Sequence, residues 1–110
     1  MEEVHFILYV ASQEVSRRFY SQVLGCEPSL NAPGMTQFRL PGGAILGLMP
    51  EAGIKRLLGP SLRDPSLADG VPRAELYLVV DEAHVYHERA IAKGATELSP
   101  IQSRDWGHAA

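Results

Sequence analysis

The sequence has 110 residues, a formal net charge of -3, 45% hydrophobic and 21% charged residues. It therefore suits one compact core, is too short for two ordinary domains and is not broadly disordered. No basic run exceeds the pairs Arg17-Arg18 and Lys55-Arg56, which leaves no positive face for nucleic acid.

The start, Met1-Glu2-Glu3, is acidic, and the apolar stretch behind it ends by Ala11. That pattern fits neither a signal peptide nor a bilayer span. Val4 to Val10 has the β-branched and aromatic content of a strand. Ser12 is placed to cap a helix reaching about Val23, with Val15, Phe19 and Val23 spaced one turn apart, and Gly25 to end it in a left-handed turn. Cys26 to Leu30 is expected as a short strand with Cys26 as a small core residue. Being the one cysteine, it cannot form an internal disulfide, and a reducing, cytoplasmic compartment is expected. Asn31 to Gly34 has turn chemistry, Met35 to Leu40 alternates as a strand, and Pro41-Gly42-Gly43 leads into the apolar strand Ala44 to Met49.

Between residues 50 and 72, Pro50, Pro60, Pro65 and Pro72 break up any long element, so this stretch is expected as a linker with one helical turn over Ile54 to Leu58. The opening pattern then returns. Ala74 to Val80 is expected as a strand, Asp81 as an N-cap, and Ala83, Tyr86 and Ala90 as a helical stripe ended by Gly94, with a strand starting at Thr96 to Leu98. Val80 answers to Val10 and Gly94 to Gly25, which is the mark of an internal duplication.

His5 to Val10, Ser16, Phe19-Tyr20, Leu24-Gly25, Pro41-Gly42-Gly43, Leu76 to Asp81 and Arg104-Asp105-Trp106-Gly107 occur in an order that resembles the vicinal oxygen chelate (glyoxalase/bleomycin resistance/dioxygenase) superfamily. The resemblance implies an α+β fold of two βαβββ-type modules forming a cupped half-barrel around a small-molecule cavity. It divides a single domain, 1–110, into a first module (1–49), the linker (50–72) and a second module (73–110). That family continues past the Trp-Gly pair into a closing hairpin, whereas this sequence ends at Ala110, so the second module is expected to lack most of its C-terminal hairpin.

Strand parity sorts the side chains. Phe6, Leu8 and Val10 share one face, as do Leu76, Leu78 and Val80, and these aliphatic faces are expected to take the helices. His5, Ile7 and Tyr9, with Glu75, Tyr77 and Val79, should line the cup. The resemblance maps its first and third metal ligands onto His5 and Glu75, which suit a divalent first-row metal. Its fourth-strand ligand falls on Gly47, which has no side chain, and its last ligand lies in the missing hairpin. The expected cofactor is therefore none, or a divalent metal ion held weakly. Tyr9, Tyr77, Arg39, Ile45 and Met49 have cup-facing parity and the composition of a ligand pocket, or equally of packing between sheets. His84 and His87 suit an exposed helix face, and His108 and Asp105 a frayed end without a role.

The first expectation is a metal-poor protein that binds a small planar or amphipathic molecule; the alternative is a metal-dependent lyase, isomerase, dioxygenase or thiol transferase of the same superfamily. No general base can be named. An unclosed second sheet also argues for a homodimer, expected across the first strand and the linker with Ile54, Leu57 and Leu58 as apolar contacts. Neither a nucleic acid nor a membrane is expected as partner.

Overall fold

The computed structural model describes residues 1–110. In chain order it forms β1 (Val4–Val10), α1 (Gln13–Leu24), β2 (Leu30–Ala32), β3 (Met35–Arg39), β4 (Ala44–Pro50), α2 (Glu51–Leu58) and α3 (Ala83–Ala92). The result is a mixed α+β arrangement: an open four-stranded sheet in the order β1-β4-β3-β2 with three helices. No helix is long and apolar enough to cross a membrane.

The first half forms for the local reasons its sequence suggests. Ser12 is extended, and its hydroxyl accepts the Val15 N–H at 3.3 Å, so one of the unpaired donors of the first turn of α1 is satisfied. Gly25 closes α1 in the left-handed region (φ 71°) with its N–H on Ser21 O. β1 runs parallel to β4, as a strand–helix crossover requires, and β2 and β3 are antiparallel neighbours joined by a tight turn. Phe38, Leu46 and Leu48 are the fully closed centre, and Leu8, Val10, Tyr20, Leu24 and Leu40 pack around them. The aliphatic face of the sheet thus takes α1, as its parity predicts.

Gln13 ties α1 to the hairpin. Its amide donates to Ala32 O at 2.8 Å and Thr36 Oγ1 at 2.9 Å, and its oxygen accepts the Gly34 N–H at 3.0 Å. Thr36, fully buried, donates a hydrogen bond from its hydroxyl to Asn31 Oδ1 at 2.8 Å. A buried hydroxyl with both roles filled costs little, and here it fixes the turn against the helix start.

The second half departs from expectation. Residues 71–80 form no strand, nor do residues 96–98, and from Pro72 to Asp81 no backbone group makes a backbone hydrogen bond. The physical reason lies in pairing. β1 is held along its length by β4, while residues 96–110 offer only an isolated bridge, Ser103 to Ala109. A β-rich segment without a ladder partner has nothing to bond to.

Four local expectations also change. Cys26 lies outside any strand and is exposed, because β2 starts only at Leu30. The N-cap position of α3 is Glu82, with no side-chain cap bond, so Asp81 does not cap it. Within the linker, α2 runs over eight residues, longer than the single turn expected. Ile54 on α2 is only 5% exposed, so it packs within its own chain and is closed to a partner, unlike Leu57 and Leu58. Every buried residue, from Ser21 to Ile54, belongs to the first half.

Candidate functional site

The register of the sheet places the residues of the expected cup. His5 and Arg39 both flank Ile45, Ile7 lies beside Gly47, and Tyr9 lies beside Met49. Directly paired positions share a face, so His5, Arg39, Ile45, Tyr9 and Met49 do lie on one face of the sheet. They are not equally accessible. Tyr9 is 47% exposed, whereas Ile45 is 2% exposed and is core in this chain.

A polar cluster marks one end of this face. Glu3 Oε1 lies 2.8 Å from His5 Nε2, and Glu3 Oε2 lies 4.0 Å from Arg39 Nη1. The hydrogen bond with His5 holds the Glu3 carboxyl below its ordinary range, against a desolvation that pushes it up; the charges on His5 and Arg39 add to the lowering. No local signal in the sequence marks Glu3, because its link to Arg39 depends on the strand register.

His5 and Glu75 are not joined by any hydrogen bond or ion pair. Instead Glu75 lines a separate cleft with Ala95 to Ser99, Arg104 and Trp106. Gly47 offers no ligand, and a Cβ there would stand 3.1 Å from Ile7 Cγ1 and 3.3 Å from Met35 Sδ, so both side chains would have to give way. No group of three His, Cys, Asp or Glu side chains converges anywhere in the chain. A divalent ion needs at least three such ligands or an equivalent open site, so the residues of this single chain do not fit one.

Tyr77 anchors an aromatic cluster. The Trp106 indole N–H donates to Tyr77 Oη at 2.9 Å, and Tyr77 Oη lies 2.8 Å from His108 Nδ1, with the two rings stacked at 5.8 Å. Arg104 fastens the tail further through Ala110 O at 2.8 Å and Ser99 Oγ at 2.8 Å. The C-terminal run is therefore tied down by side chains, contrary to the frayed end expected for His108 and Asp105. His84 is exposed, and His87 Nε2 lies 2.9 Å from Glu97 Oε2, an ion-pair distance without hydrogen-bond alignment.

The best-walled cavity is a cleft of about 480 Å³ between the sheet and residues 76–80. Phe6, Leu24, Leu40 and Ala44 line it on one side and Leu76 to Val80 with Tyr86 on the other; Arg39 is its one charged residue. Eleven of its 13 lining residues are hydrophobic. A larger cleft of about 700 Å³ runs along α1 to Lys93, but only 5 of its 11 lining residues are hydrophobic, and Val10 is its one contribution from the sheet. A ligand pocket is mostly apolar with a few placed polar groups, which favours the smaller cleft.

Arg39 and Tyr77 are thus the two expected ligand residues that the structure brings to one cavity, while Tyr9 and Met49 stay outside it. Alternation places Phe6 on the helix-packed face. It is 61% exposed, because α1 covers Leu8 and Val10 and leaves the start of β1 to the segment 76–80. Alternation gave its face correctly but held no signal for where the helix cover stops.

No family model matches this sequence, and no curated protein matches it significantly. Two solved structures share its fold. A glyoxalase-related enzyme from Fulvimarina pelagi superposes with a TM-score of 0.74 at 21% identity, over 94% of this chain and 73% of that one. A glyoxalase/bleomycin resistance protein/dioxygenase from Nocardioides gives a TM-score of 0.61 at 24% identity, over 94% of this chain and 68% of that one. At these identities the likeness is one of fold alone, a mixed α+β arrangement with an open sheet.

Proposed function

We propose that the chain is a small-molecule-binding protein of the glyoxalase/bleomycin-resistance type, metal-poor, with the cleft between the sheet and residues 76–80 as its binding site. The observation that carries this reading is the cleft's composition: apolar walls from both halves and a single charged group, Arg39. Such a site favours a planar or amphipathic molecule with an anionic group placed at Arg39. The fold match supports the two-module reading, in which residues 73–110 belong to a second βαβββ-type unit. A homodimer belongs to the same reading, because the second half holds no buried residue of its own.

A second reading, a metal-dependent enzyme, draws on one observation: a neighbour in fold is a glyoxalase-related enzyme and the other is named in part a dioxygenase. It requires ligands that this chain does not gather by itself.

The test uses the anionic aromatic probe 1-anilinonaphthalene-8-sulfonate, followed by fluorescence and calorimetry on the folded protein. Saturable binding at one site per chain is expected. Leu78→Asp, which puts a charge on an apolar wall, should weaken it at least tenfold, and Arg39→Gln severalfold. Binding that ignores both substitutions would remove the cleft as the site.

A further inference from the structure

The cleft takes its walls from two halves that share few polar contacts. Among the hydrogen bonds of residues 1–110, a single one joins residues 1–49 to residues 73–110: Arg89 Nη1, on α3, donates to Val23 O in the last turn of α1 at 3.4 Å. No ion pair joins the halves.

The surroundings of this guanidinium are built to receive it. The last turn of α1 carries no basic residue of its own, and the carbonyls of a last turn have no partner within their helix, so a cation brought from α3 meets an unmet need. Gly25 leaves the space. A Cβ there would stand 2.9 Å from Arg89 Nη1, closer than real side chains approach, and the residue already sits at φ 71°. Arg89 Cζ also lies over the Tyr86 ring, 5.1 Å from its centroid, a cation–π arrangement between neighbouring turns of α3. Both ends of this bridge reach the cleft: Leu24 and Cys26 flank Gly25 and line one side, while Tyr86 lines the other.

We infer that Arg89 is a positioning residue for the proposed binding site, a clamp that holds α3 to the end of α1 and so sets the width of the cleft. This deepens the preceding reading and rests on it. Arg89 is not among the residues that line the cleft, so it acts through Val23 and Tyr86 and makes no contact with the bound molecule. It also contributes little to folding, because Arg89 is exposed and every buried residue lies in the first half. Its hold counts where two loosely joined walls must stand at a fixed separation before a ligand fills the gap, since walls set in advance lower the cost of binding.

The test combines affinity for 1-anilinonaphthalene-8-sulfonate, urea unfolding and a spin label. Arg89→Ala should weaken probe binding about fivefold, as the loss of a hydrogen bond from a charged group implies, and leave the urea midpoint unchanged. Arg89→Lys keeps the charge without the planar fork and should fall between Arg89→Ala and the wild type. Gly25→Ala should also weaken binding, but by less when residue 89 is already Ala, because the backbone strain is common to both backgrounds and the clash with Arg89 is not. Independently of any probe, a nitroxide on Gln22→Cys of α1, in a Cys26→Ser background, should broaden the amide signals of α3. That broadening should weaken in Arg89→Ala and return in part in Arg89→Lys. Wild-type affinity in Arg89→Ala, or a loss of affinity that merely follows a fallen urea midpoint, would overturn the clamp. If Leu78→Asp still weakens the probe at least tenfold in that case, the cleft stands and the clamp alone falls. If neither substitution affects the probe, the cleft reading fails, and unchanged broadening in Arg89→Ala would remove the clamp with it.

Discussion

Leu48→Ala measures where the folding energy resides. Leu48 is fully closed at the centre of β4, between β1 and β3, and packs with Phe38 and Leu46 in the innermost cluster. Removing its branched end strips apolar surface that was wholly out of water and leaves a void. Two flanking strands hold that void open, so little collapse can offset it. The upper half of the usual range applies, about 3–4 kcal/mol. A domain of this size has roughly 5–15 kcal/mol in total, so the variant loses a large share of its stability. At roughly 4–8 °C per kcal/mol its melting temperature should fall by more than about 12 °C. Val79→Ala, at a side chain 75% exposed, should change the stability of the separated chain by no more than about 0.5 kcal/mol. Urea unfolding followed by far-UV circular dichroism, at a dilution where only single chains are present, compares the two. A Leu48→Ala cost below about 1 kcal/mol, or a Val79→Ala cost equal to it, would refute a core confined to the first half.

Gln13→Ala should cost about 1–3 kcal/mol in the same assay, because it withdraws a donor from Ala32 O and Thr36 Oγ1 and the acceptor of the Gly34 N–H. Burial raises the Tyr20 phenol above its ordinary value of 10.0, so the fold favours the neutral form. Its contribution is present below pH 10.0 and lost as pH rises through the raised value; melting temperatures between pH 8 and 11 should fall further for the wild type than for Tyr20→Phe, and equal losses would contradict this. Calorimetry with nickel, manganese and zinc should show weak binding or none, and tight stoichiometric binding abolished in both His5→Ala and Glu75→Ala would overturn the metal-poor reading.

The first half was legible because its signals are local and agree with one another. Ser12, Gly25, the alternation in β1 and β3 and the apolar run of β4 each specify an element that tertiary packing then accepts. The segment 74–80 has equally strong β chemistry, yet strand formation depends on a ladder partner, which no local pattern reports. Cys26 shows the same limit on a smaller scale: β2 begins only where the hairpin register with β3 begins, at Leu30 opposite Gln37. At the site, parity found the face that holds His5, Tyr9 and Arg39. It missed Phe6, Leu40 and Tyr86, whose meeting with residues 76–80 depends on how far α1 reaches across the sheet. Glu3 escaped notice for a related reason, since its approach to Arg39 spans two strands that are not neighbours.

The central claim, that a small amphipathic molecule binds between the sheet and residues 76–80, is tested most directly by mapping a bound probe on the protein. Amide spectra of the ¹⁵N-labelled chain, titrated with 1-anilinonaphthalene-8-sulfonate, report the site residue by residue. The predicted result is a saturable set of shifts at Phe6, Leu40, Ala44 and Leu76 to Val80, with Val15, Ser16 and Lys93 along the larger cleft unchanged. Shifts confined to Tyr9 and Met49 on the open sheet face, or to the α1 cleft, would contradict it.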